Sequence, residues 1–135
     1  MEPSMQLSSL PPQLHTLDLS SCDLGNSDLF SSHLTPALSR LPMLAELDLS
    51  SNNASLSEEF YSNISRLEHV SEILLQHNRI GTEGATRLVR SLHPSAPVHR
   101  IWLQNNDIET SARDAINQEL SAANRSSPVH IQFGS

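Results

Sequence analysis

The chain is short of the residues that mark several common protein classes. It has one cysteine, Cys22, in 135 residues, which excludes an internal disulfide framework and favours a reducing compartment. Basic residues number eight against fifteen acidic ones, for a net charge of −7, and the eight are scattered. Nucleic acid and anionic membranes are bound by clustered Lys and Arg, so neither is an expected partner. No apolar run approaches the roughly 18 residues of a membrane span, and the opening segment lacks the basic and apolar regions of a signal peptide. Catalytic and metal signatures are missing too. There is no H-E-x-x-H, no paired C-x-x-C, no glycine-rich phosphate loop and no G-x-S-x-G. The seven histidines fall beside repeated apolar positions or on amphipathic segments, where structural or surface roles suffice. The expectation is a single cytoplasmic domain over residues 1–135 that is not an enzyme and carries no cofactor or metal.

What the chain does have is one leucine-rich phrase written four times, L-x-x-L-x-L-x-x-N/C-x-L. It runs from Leu14 through Leu17, Leu19 and Cys22 to Leu24, then from Leu44 through Leu47, Leu49 and Asn52 to Ala54. The third copy joins Val70, Ile73, Leu75, Asn78 and Ile80, and the fourth Val98, Ile101, Leu103, Asn106 and Ile108. From Leu17 to Leu47, Ile73 and Ile101 the steps are 30, 26 and 28 residues, and a degraded fifth strand at Val129, Ile131 and Phe133 follows. A period of this length is the mark of a solenoid.

Within each phrase, alternation at period 2 sends the two central apolar residues to one side, so each copy reads as a short strand of a parallel sheet. At the Asn or Cys slot the chain turns inward and buries backbone groups that need partners. Asn52, Asn78 and Asn106 can provide them as a polar ladder, with the small thiol of Cys22 in the first slot. Between strands the spacing turns helical: over 28–40, after a capping box formed by Ser55 and Glu58, from Thr82 to Leu92, and through Ala112, Ala115, Ile116 and Leu120. Capping and the helix dipole account for the adjacent carboxylates Glu58 and Glu59. Ala54 is small for its position, and Leu56 is expected to fill the gap.

These motifs resemble the leucine-rich repeats of the ribonuclease-inhibitor-like subclass, in which every repeat carries a helix. The segment HNRIGTEGATRLVRSL, residues 77–92, carries the likeness best, and the resemblance covers roughly residues 7–133. It implies an α/β leucine-rich repeat solenoid, a short horseshoe with parallel strands on the concave face and helices on the convex face. Residues 1–13, with Met5, Leu7, Leu10, Pro11 and Pro12, form the expected N-terminal cap. Function in this family is recognition, with many kinds of partner.

On a concave face the outward residues of neighbouring strands stand in columns about 4.8 Å apart. The middle column reads Asp18, Asp48, Leu74, Trp102 and Gln132; before it run Thr16, Glu46, Glu72 and Arg100, and after it Ser20, Ser50, Gln76 and Gln104. The face is thus acidic in its first half and apolar around Leu74 and Trp102, with Arg100, His77 and His99 near them. An exposed Leu beside the only Trp in a polar frame has the anatomy of a binding hot spot; the competing structural role is that Trp102 merely covers the surface between strands. The expected contact residues are Trp102, Leu74, Arg100, Glu72, Gln104 and Asp48, binding a protein partner with a basic segment. Other readings of the resemblance are a GTPase-activating or ubiquitin-ligase-associated repeat domain, and a fragment of a longer array. The exposed edge after Phe133 leaves self-association open.

Overall fold

A computed structural model describes residues 11–21, 38, 40–55, 58–64, 69–92, 97–122 and 128–134. The expected Cys22 slot, the proposed cap over residues 1–10 and nearly all of the helical segment 28–40 lie outside the described residues, as does Leu56.

Five strands form one parallel sheet in chain order: β1 (Thr16–Asp18), β2 (Glu46–Asp48), β3 (Glu72–Leu74), β4 (Arg100–Trp102) and β5 (His130–Gln132). The central apolar residues Leu17, Leu47, Ile73, Ile101 and Ile131 stand in register across them. Each strand is three residues long, yet the backbone ladder continues past both ends. Before the strands it runs from Ala45 N–H to His15 C=O, Ser71 to Ala45 and His99 to Ser71; after them it runs from Ser21 to Ser50, Ser51 to Gln76 and His77 to Gln104. Successive repeats are therefore tied over a longer stretch than the strands alone.

Three helices are described: α1 (Glu58–Ile64), α2 (Gly81–Ser91) and α3 (Thr110–Ala122). They meet the sheet across one core, in which Leu47, Leu49, Ile73, Leu75, Leu88, Ile101, Leu103 and Ile116 are buried. Burial of each such side chain contributes about 1.5–3 kcal/mol. Leu14, Leu19, Val129, Ile131 and Phe133, in the outermost repeats, are only partly buried.

The polar ladder forms as expected and also joins repeat to repeat. Asn52, Asn78 and Asn106 are all buried. The Asn78 carboxamide accepts from Asn52 N–H at 3.0 Å and Ala54 N–H at 3.1 Å, and donates to Leu49 C=O and Leu75 C=O, both at 2.9 Å. Asn106 repeats the pattern one step on, accepting from Ile80 N–H at 3.2 Å and donating to Leu75 C=O at 2.8 Å. Asn52 donates to Leu19 and Leu49 C=O.

The helices are stitched to one another. The Arg87 guanidinium on α2 binds Glu58 Oε1 on α1 at 2.6 Å and lies over the Tyr61 ring, while Arg90 binds Glu119 on α3 at 2.7 Å. The cap expected from Ser55 and Glu58 cannot be followed, because residues 56 and 57 lie outside the described set; Glu58 Oε1 is engaged with Arg87. The two glycines of the 77–92 segment have separate causes. Gly81 opens α2 at φ +74, a left-handed conformation that side chains disfavour, whereas Gly84 makes room. A Cβ on Gly84 would come within 2.9 Å of Ile80 Cγ2 and 3.3 Å of the Tyr61 hydroxyl, which donates to Gly84 C=O at 3.1 Å.

One expectation about α3 needs correction. Ile116 and Leu120 are buried, but Ala115 is exposed and Ala112 only half-buried. The step of 28 residues from Ile73 to Ile101 places Ile116 and Leu120 on the positions of Leu88 and Leu92, and Ala115 on that of exposed Arg87. Small size drew Ala115 into the apolar set, and register puts it on the outer face.

Candidate interaction surface

The face of the sheet turned away from the helices carries the three expected columns. Strand register places Asp18, Asp48, Leu74, Trp102 and Gln132 side by side, with Thr16, Glu46, Glu72, Arg100 and His130 in the row before. Leu74 and Trp102 are direct register partners, both half-buried.

Trp102 is held by its neighbours. Its indole Nε1–H donates to Glu72 Oε2 on the adjacent strand at 2.6 Å, and the Arg100 guanidinium lies 5.6 Å from the ring centroid. The carboxylate fixes the edge of the ring and the guanidinium is drawn to its electron-rich face. Glu72 and Arg100 face each other in register, so the positions that fix the indole are set by the sheet itself. Glu72 was expected as a partner contact, and the structure gives it a second task, the positioning of Trp102. Sequence reading missed that contact, for which a carboxylate one strand away from a tryptophan is only a weak signal.

The acidic end is ordered in its own way. Asp48 Oδ1 accepts from Ser50 Oγ at 2.7 Å and Ser50 N–H at 3.0 Å. Asp18 Oδ1 accepts from Ser20 Oγ at 2.6 Å and Ser20 N–H at 2.9 Å. The Ser20 hydroxyl and amide hold the Asp18 carboxyl below the ordinary aspartate value. The Asp and Ser columns are therefore one repeated D-x-S unit, in which the serine hydroxyl and amide orient the carboxylate. Glu46 lies beside Glu72 in the preceding row.

Not every expected neighbour joins the patch. His77 follows β3 and His99 precedes β4, so the two histidines lie at opposite ends of the strands, both exposed. Gln104 is half-buried and leans toward the end of the sheet: a Cβ on Gly134 would meet its Cγ at 3.2 Å. Among the described residues no group of His, Cys, Asp and Glu could hold a metal ion, and no helix is long and apolar enough to cross a membrane.

Repeated strands, an asparagine ladder and a helix layer define a leucine-rich repeat solenoid. A family model described as Leucine Rich repeat matches residues 12–31 and 67–89. No curated protein matches the sequence. Among solved structures, the chain is similar to "Leiomodin-1 Actin-Binding Site 2 (ABS2)", with a TM-score of 0.79 and 13% identity, over 98% of this chain and 78% of that one. At that identity the likeness concerns the fold.

Proposed function

We propose that the chain is a non-enzymatic module that binds a protein partner across the concave, open face of its sheet, through Trp102, Leu74, Arg100, Glu72, Gln104 and Asp48. The observation that carries this reading is the immobilised Trp102 beside Leu74. A large aromatic already held in place loses little ordering entropy when a partner docks, which is the economy expected of a hot-spot residue. The D-x-S carboxylates and Glu46 supply negative charge next to that anchor, and the whole chain carries −7, so a partner segment that pairs a basic residue with an apolar one fits the surface.

The helix after each of β2, β3 and β4 supports the ribonuclease-inhibitor-like subclass, and the single cysteine suits a cytoplasmic setting. An actin-binding protein among the structures of similar shape makes actin a sensible first partner to assay. Among the described residues β5 is an edge strand, along which pairing of a second copy is the self-association to test; a strict monomer by sedimentation at high concentration removes that option.

The test compares the intact chain with a Trp102→Ala, Leu74→Ser double variant of unchanged circular dichroism. The reading predicts that a partner retained by the first is lost from the second. Equal retention by both would move the site to the helices or the ends.

A further inference from the structure

The open face of the sheet is polarised across its strands. On β1 and β2 it presents Asp18, Asp48 and Glu46, and among the described residues none of the three has a basic partner. On β4 it presents Arg100, which is exposed and likewise makes no ion pair among the described residues. Glu72 faces Arg100 from β3, but its Oε2 is taken up by the Trp102 indole at 2.6 Å. From the other side the register partner of Arg100 is His130, and β5 contributes no carboxylate to the face. Leu74 and Trp102 form an apolar step from β3 to β4.

Positions across the sheet follow from the strand spacing of about 4.8 Å. Measured from Asp48 on β2, the middle of the Leu74–Trp102 step lies about 7 Å away. The β5 side of Arg100, turned away from Glu72, lies about 14 Å away. In an extended chain every second residue points the same way, so residues i, i+2 and i+4 stand at about 0, 7 and 13 Å. Three alternate side chains of an extended segment laid across the strands therefore reach the acidic pole, the apolar step and the cationic pole in turn.

We propose that the open face receives an extended partner segment lying across the strands, with the side-chain pattern basic-x-apolar-x-acidic. This rests on the open-face reading and specifies its partner. The basic side chain meets Asp48 and Glu46, the apolar one packs on Leu74 and Trp102, and the acidic one meets Arg100 from the β5 side. The apolar contact supplies most of the affinity, and the two charges of opposite sign set the position of the segment on the face. The face fixes the order of the three side chains, whichever end of the partner chain comes first.

Trp102 is the only tryptophan, so its fluorescence reports directly on this face. The probes are capped heptapeptides with lysine, leucine and glutamate at the second, fourth and sixth positions, in that order and in the reverse order, and threonine elsewhere. Such peptides are too short to hold a helix in water. At least one order should give a saturable change in Trp102 emission that weakens with added salt. Peptides with lysine at both charged positions, or glutamate at both, should bind roughly fivefold more weakly or worse, because one end then meets a like charge. A peptide with its charges moved next to the leucine should lose as much, since neighbouring residues of an extended chain face opposite ways. Arg100→Glu should turn the preference toward the two-lysine peptide, a gain that a misfolded variant cannot produce. Equal binding by all the peptides, or an unchanged preference in Arg100→Glu, would overturn the proposal while the Trp102 response left the open face as the binding surface. Silence of Trp102 toward both orders would also overturn it, and partner retention by the Trp102→Ala, Leu74→Ser variant then decides the open-face reading separately.

Discussion

Replacement of Asn78 by alanine should be among the most damaging single changes in this chain, and more damaging than the same change at Asn106. Asn78 accepts from two buried N–H groups, those of Asn52 and Ala54, whereas Asn106 accepts from one side-directed N–H, that of Ile80. The carbonyls at stake are less exposed to loss. Leu49 C=O keeps the Asn52 amide, and Leu75 C=O is bound by whichever of Asn78 and Asn106 remains. A buried group left without its partner costs about 1–3 kcal/mol, so Asn78→Ala should cost about 2–6 kcal/mol and Asn106→Ala about half of that. Against a whole-domain stability of about 5–15 kcal/mol, the first substitution brings the chain near its unfolding threshold. Urea denaturation followed by circular dichroism measures both, with the midpoint falling and the slope unchanged. Equal losses at the two sites, or a loss below about 1 kcal/mol at Asn78, would refute the donor count on which this reasoning rests.

Other expectations follow from single contacts. Gly84→Ala should destabilise by about 1 kcal/mol or more even though alanine is the better helix former, because the new Cβ meets Ile80 Cγ2 at 2.9 Å; a gain in stability would show that Ile80 and Tyr61 move aside at no cost. Glu72→Ala should leave the thermal midpoint nearly unchanged yet raise acrylamide quenching of Trp102, while Glu72→Gln keeps an acceptor and the quenching of the parent chain; equal quenching in all three would contradict the positioning role. The Arg87 guanidinium holds the Glu58 carboxyl below the ordinary glutamate value. Since the folded value is the lower one, the pair's stabilisation is present above the unfolded value and is lost as pH falls through the folded one. Both groups are exposed and screened by water, so Glu58→Gln should flatten the acid dependence only slightly, and added salt should erase the difference. A large loss at neutral pH in high salt would contradict this.

Much of the architecture was legible because repetition amplifies weak local signals. One short alternation such as Thr16–Leu17–Asp18 says little by itself, but copies at 30, 26 and 28 residues fix the strands, their parallel register and the columns of the open face together. The asparagine ladder was legible for the same reason. What escaped depended on pairs from different repeats, on which periodicity is silent. The bond from Trp102 to Glu72, the clasp of Arg87 on Glu58 and Tyr61, and the close approach of Tyr61 to Gly84 are all of that kind. The misplacement of Ala115 had a different origin. Local helical spacing admitted Ala112 and Ala115 of α3 to the apolar face, and only alignment with the preceding repeat separates the two.

The central claim is that the partner lies on the open face of the sheet, and site-directed photo-crosslinking tests it most directly. A photoreactive residue would replace Gln76 on that face in one sample and Gln118, on the exposed outer side of α3, in another. The account predicts crosslinking of the bound partner from position 76 and none from position 118. Crosslinking from position 118 alone would place recognition on the helices and contradict it.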